Sequence, residues 1–154
     1  MTDELDDFLC LDLHVASRAV TAAYRPILGG LGVTYPQYLV LAVLWERDER
    51  RIKELATALR LDHATLTPLL RRLEAAGLLT RRRSEDDERA VVVALTAEGR
   101  ALSEHADDVR CRIAEAVGLP AEDVEVLRSL LRRVSAAVGA GPVPASADGA
   151  SMGA

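Results

Sequence analysis

Leu55 to Thr96 reads LATALRLDHATLTPLLRRLEAAGLLTRRRSEDDERAVVVALT, and its punctuation decides the fold. A helical segment, Lys53 to Leu59, meets a turn at Leu61-Asp62-His63. A second helix, Ala64 to Ala76, is capped by Asp62 and stopped by Gly77. A hairpin follows. One arm is Leu78 to Arg83, the tip is Ser84-Glu85-Asp86-Asp87-Glu88-Arg89, and the other arm is Ala90 to Leu95. Helix, turn, helix and hairpin in that order predict a winged helix-turn-helix. Its second helix is shaped for a DNA major groove and its wing for the adjacent minor groove. Leu66, Leu69, Leu70 and Leu73 fall on the buried side of that second helix.

The charge is arranged to match. The chain has 154 residues, enough for one domain with a real core, and a formal charge of -5. Between Arg50 and Ser84, however, nine basic residues face three acidic ones. That local excess of six positive charges leaves -11 on the rest. A basic face on an acidic body suits a DNA binder whose other half has a separate task. Ala, Leu, Arg and Glu dominate, as in mainly helical proteins.

No signal peptide is expected, since the N-terminus is acidic and lacks an apolar core. The longest apolar run, Tyr38 to Trp45, is too short to span a membrane. A cytoplasmic protein with two free thiols is therefore expected. No His/Cys spacing suggests a metal, and no cofactor is expected.

Working outward, a first helix is expected from about Asp3 to Leu28, capped by Thr2 with Asp3 and Glu4 behind it. Its apolar stripe is Leu5, Phe8, Leu9, Ala16, Val20, Ala23 and Ile27. Pro26 should bend or loosen its last turn, and Gly29-Gly30-Leu31-Gly32 ends it. A second helix opens at Thr34-Tyr35-Pro36 and runs to about Glu46. Arg51-Ile52 forms a short strand or turn. Beyond the wing, Thr96 caps a helix reaching about Val117, Gly118-Leu119-Pro120 breaks it, and a last helix covers Ala121 to Val138.

The expected fold class is mainly α with a small β wing (α+β). It is a single domain over 1–138 with a reading head at about 50–96. Dimerisation helices at about 3–28 and 97–138 flank the head, and 139–154 form a disordered tail. A homodimer would present two recognition helices to a pseudo-palindromic, double-stranded operator.

With that layout in place, the chain resembles the MarR family of transcription regulators. Asp87-Glu88-Arg89, followed by Val91 to Thr96, carries the family's D-x-R, apolar strand and L-T pattern. A closer resemblance is to the organic hydroperoxide sensors of that family. It rests on Phe8-Leu9-Cys10, on Tyr24-Arg25-Pro26, on Thr34-Tyr35-Pro36-Gln37-Tyr38-Leu39, and on Leu61-Asp62 with Thr65 to Leu70 and the wing Arg82 to Arg89.

The resemblance implies that Cys10 is the redox-sensing cysteine, oxidised by an organic hydroperoxide to a sulfenic acid. Tyr24 and Tyr35 match the tyrosines that hydrogen-bond it. Fourteen residues of helix span about 21 Å, so Tyr24 cannot reach Cys10 of its own helix. It can reach a partner's Cys10 if the helices cross antiparallel at a two-fold axis. The resemblance also implies that Cys111 resolves the sulfenic acid by forming an intersubunit disulfide.

For DNA, His63, Ala64, Thr65 and Thr67 are candidates for base edges or phosphates, and Arg71 and Arg72 for phosphates. Arg89 matches the wing arginine of the minor groove, supported by Asp87, which holds either that arginine or the turn. Arg81, Arg82 and Arg83 alternate across a strand, so only some face DNA; Arg83 is taken as one that does. The implied function is a repressor, not an enzyme, that releases its operator on oxidation.

Other readings stay open. Cys10 and Cys111 can each be packed, inert thiols. The chain can be a MarR-type repressor released by a phenolic or other small ligand, a thiol peroxidase, or an architectural DNA binder.

Overall fold

Tight leucine packing holds the centre of the protein. Leu41, Leu44, Leu55, Leu66, Leu70 and Leu73 are fully buried, and Leu79, Val93 and Leu95 close the same core from the sheet side. Burying each such side chain is worth about 1.5–3 kcal/mol, so this cluster dominates the stability of the head.

The computed structural model describes residues 8–139. Its elements are α1 (Leu9–Gly29), α2 (Tyr35–Glu46), β1 (Arg50–Arg51), α3 (Ile52–Leu59), α4 (His63–Ala75), β2 (Leu79–Arg83) and β3 (Val91–Leu95). There follow α5 (Ala97–Ala101), a 3-10 turn (Leu102–His105), α6 (Ala106–Val117) and α7 (Ala121–Ala137). The sheet is antiparallel in the order β1-β3-β2. Its hairpin register pairs Leu79 with Leu95 and Arg83 with Val91. The fold is the winged helix-turn-helix that the punctuation predicts, mainly helical with a small sheet.

Local chemistry explains the boundaries. Asp62 accepts a hydrogen bond from the Thr65 N–H at 2.7 Å and caps α4. Gly77, at φ 73°, takes the left-handed conformation that ends the helix. Gln37 reaches back to accept from the Thr34 N–H at 2.9 Å, closing the first turn of α2.

Three expectations need correction. First, α1 begins at Leu9: Phe8 is extended (φ -89°, ψ 91°), and its carbonyl accepts from Leu11 and Asp12. Cys10 is therefore in the helix's first turn. The proposed cap at Thr2, with Asp3, Glu4 and Leu5, lies outside the described residues. The helix does continue through Pro26 to Gly29. Second, the helix expected from Thr96 to Val117 is divided by the 3-10 turn, though no glycine or proline marks the break. The division separates α5, which packs on β3, from α6, which packs along α1. Third, the short strand is Arg50–Arg51, held by pairing with Val93 and Val92, so Ile52 already belongs to α3. Of the expected tail, 140–154 lie outside the described residues.

Burial along α1 and α7 is lopsided. Only Ile27 and Leu28 are buried in α1, whereas Phe8, Leu9, Leu11, Val15 and Val20 are exposed. No residue of α7 is buried, and Val126, Leu127, Leu130 and Leu131 stand open. Among the described residues, no helix is long and apolar enough to cross a membrane.

Candidate nucleic-acid interface and sensing site

α4 presents its N-terminal end and one flank to solvent. His63, Ala64, Arg71 and Arg72 are exposed, while Leu66, Leu70 and Leu73 are buried and Leu69 is half-buried. Thr65 and Thr67 are half-buried. The Thr67 hydroxyl donates to the His63 carbonyl at 2.7 Å. The Thr65 side chain engages Asp62, which holds that carboxyl below its usual range. His63 and Ala64 are thus the freer candidates for base edges.

The wing sorts its arginines. Arg81 is gripped by Glu74 of α4, with Nε and Nη2 donating to Oε2 at 2.9 and 2.5 Å. Arg82 pairs with Glu49 at 3.3 Å and with Glu85 at 3.8 Å. Arg83 and Arg89 are exposed, and among the described residues neither side chain has an ion-pair partner; the same holds for Arg71 and Arg72. Asp87 serves the turn rather than the guanidinium: its Oδ1 accepts from the Arg89 N–H at 3.0 Å, and its carbonyl from Ala90 at 2.9 Å. Four uncommitted guanidinium groups on α4 and the wing are what phosphate contact requires.

At the other end, the two tyrosines expected at the sensing site are together. Tyr24 near the end of α1 and Tyr35 at the start of α2 stack with ring centroids 4.2 Å apart and planes 25° apart. Burial pushes both phenols above their ordinary value, and the neighbouring tyrosines add to the rise for Tyr24. Both therefore remain protonated donors at neutral pH. Cys10 is not with them. It is exposed in the first turn of the same continuous helix, about 21 Å from Tyr24 by helical rise. Its neighbours Phe8, Leu9 and Leu11 are exposed and apolar. Cys111 is exposed on α6, and both cysteines are free thiols. Among the described residues, no group of three or more His, Cys, Asp or Glu is placed to hold a metal ion.

Sequence reasoning missed the contacts that join these two regions. Tyr38 leans on Tyr24 at 6.1 Å, and Trp45 meets Tyr38 edge-on at 5.6 Å and 74°. The Trp45 indole Nε1 donates to the Gly99 carbonyl at 2.9 Å. Asp48 accepts from the Leu95 N–H at 2.9 Å and pairs with Arg100. The spacing of Tyr38 and Trp45, two turns apart on one helix face, was a signal available in the sequence.

The chain is similar to known transcription regulators. A family model for the transcriptional regulator SarA/Rot matches residues 22–106. The organic hydroperoxide resistance transcriptional regulator of Bacillus subtilis (strain 168) is 44% identical over 128 residues, covering 83% of this chain and 87% of that protein. The structure of reduced AbfR bound to DNA is similar, with TM-score 0.74 and 31% identity over 87% of this chain and 94% of the other. So is a mutant MarR from E. coli complexed with operator DNA, at TM-score 0.73, 27% identity and coverage of 86% and 99%.

Proposed function

The chain belongs to the MarR family of winged-helix transcription regulators, and on that premise we propose that it is a repressor switched off its operator by organic hydroperoxide. The observation that carries the sensing half is the Tyr24–Tyr35 stack, two protonated phenols side by side and out of reach of their own Cys10. That geometry is complete only if a second copy brings its Cys10 to the pair. The exposed apolar residues of α1 and α7 support such a homodimer, because surfaces of this extent are rarely left in water. The head between Arg50 and Thr96 then reads DNA, while α1, α6 and α7 join the subunits.

In the reduced dimer, His63 and Ala64 enter the major groove, with Thr65 and Thr67 behind them. Arg71, Arg72, Arg83 and Arg89 meet phosphates and the minor groove, and Asp87 keeps the turn that aims Arg89. The Cys10 thiolate attacks one oxygen of the hydroperoxide. The S–O bond forms to the terminal oxygen, which keeps its hydrogen, as the O–O bond breaks; Cys10 becomes a sulfenic acid, and the departing alkoxide takes up the proton the thiol had lost to leave as the alcohol. Cys111 of the other subunit then condenses with it, forming the S–S bond and releasing water. The altered interface repacks, the spacing of the two heads changes, and DNA is released. The similarity to a hydroperoxide resistance regulator supports this oxidant over others.

The test titrates reduced protein on the DNA upstream of its own gene with an organic hydroperoxide, with Cys10→Ser alongside. Wild type should dissociate and Cys10→Ser should stay bound. Retention of both, with specific binding intact, would overturn the redox reading in favour of a small-ligand signal.

A further inference from the structure

An event at the tyrosine stack must reach α4 and the wing if it is to release DNA. α2 spans that gap. Its first residue is Tyr35, stacked on Tyr24, and its 12 residues cover about 18 Å. Val40, Leu41 and Leu44 are fully buried, so the helix is set in the core as a stiff rod. Along one side run Tyr38, against Tyr24, and then Trp45, against Tyr38.

At the far end the rod is gripped by a side chain on the same face as Tyr38. Trp45 Nε1 donates to the Gly99 carbonyl at 2.9 Å. Gly99 is fixed in turn: a Cβ there would lie 1.9 Å from the Leu78 carbonyl oxygen, so backbone is pressed on backbone. Leu78 directly follows Gly77, and its N–H still donates to Leu73 of α4 at 3.0 Å. Its carbonyl accepts from Thr96, and the Thr96 hydroxyl donates to Gly77 at 2.6 Å. The end of the recognition helix, the root of the wing and the start of α5 therefore meet at one joint, and Trp45 holds that joint from α2.

We propose that α2 is the transmitting rod of the switch and that the Trp45 N–H bond to the Gly99 carbonyl is its coupling contact. This rests on the hydroperoxide reading above and adds how the signal travels. Trp45 is a positioning residue. It touches neither DNA nor Cys10, and it fixes the angle between the sensing pair and the reading head. Side-by-side packing alone would be an associational argument. What distinguishes this joint is a directional hydrogen bond onto backbone that has no room to retreat.

The experiment compares wild type with Trp45→Phe, which keeps a ring against Tyr38 and removes the donor. Three quantities are read: the rate of Cys10 thiol loss to hydroperoxide, and the operator Kd before and after oxidation. Thiol loss should be unchanged and the reduced Kd should move by no more than about twofold. The ratio of oxidised to reduced Kd should shrink roughly fivefold, the worth of one net hydrogen bond. A ratio equal to wild type overturns the coupling contact, whereas a purely structural role would move the reduced Kd and leave the ratio alone. If Trp45→Phe does not fold, wild type decides. Trp45 is the sole tryptophan, so its emission must change on oxidation and stay constant in Cys10→Ser. Constant wild-type emission overturns the proposal. A wild type that never leaves DNA sinks the hydroperoxide reading itself, which is visible before any variant is consulted.

Discussion

Gly99→Ala is the sharpest structural perturbation of this protein. The added methyl would sit 1.9 Å from the Leu78 carbonyl oxygen and 3.2 Å from Leu95 Cδ2. The first contact falls short of tolerated approach, about 3 Å, by more than an ångström, and its partner is backbone that cannot swing away. Relief requires moving Leu78, whose carbonyl accepts from Thr96 at 3.1 Å. Alanine favours a helix over glycine by up to about 1 kcal/mol, which works in the variant's favour. Overpacking costs about 1–3 kcal/mol and a weakened hydrogen bond about 1 kcal/mol more. The net expectation is a loss of about 1–4 kcal/mol, with roughly 2–4 °C of Tm lost per kcal/mol for a domain of this size. Urea unfolding at fixed protein concentration, with unchanged m, measures it. Stability within about 0.5 kcal/mol of wild type would refute the claim that the joint is rigid.

Arg89→Ala should weaken operator binding and reduce the salt slope by about one unit, since its free guanidinium is assigned one phosphate; an unchanged slope removes it from the interface. Cys111→Ser should still leave DNA on oxidation, but mass spectrometry should find sulfenic acid or a small-thiol adduct, and an intersubunit disulfide would end the resolving role. Glu74 is held below the usual carboxylate range chiefly by the Arg81 side chain. Its folded value is depressed, so its contribution is complete above the ordinary carboxylate range and is lost as pH falls through the folded value. Glu74→Gln should therefore be less stable at neutral pH, by under about 1 kcal/mol for a pair still partly open to solvent, and the gap should close in acid. A gap independent of pH would refute the ion pair's role.

The local elements were legible because their signals are local. Asp62, Gly77, Gln37 and the alternating arms of the hairpin satisfy backbone groups within a few residues, so their chemistry is written in order along the chain. The resemblance put Tyr24 and Tyr35 side by side, as they are found, and helical rise alone showed that one protomer cannot bring Tyr24 to Cys10. The division of the helix after Thr96 was not legible. Nothing between Ala101 and Ala106 breaks a helix, and only the competing demands of β3 and α1 impose the 3-10 turn. The sequence put Arg83 forward for DNA without a partner to set Arg81 apart: only the folded position of Glu74 commits Arg81 to α4. The same holds for Trp45 and Gly99, which lie 54 residues apart and meet through a hydrogen bond with no local counterpart. Sequence determined the helix-turn-helix and the wing. Tertiary structure decided which arginines are committed to ion pairs and which contacts run from the tyrosine stack to the head, because both depend on distances set by the packed core.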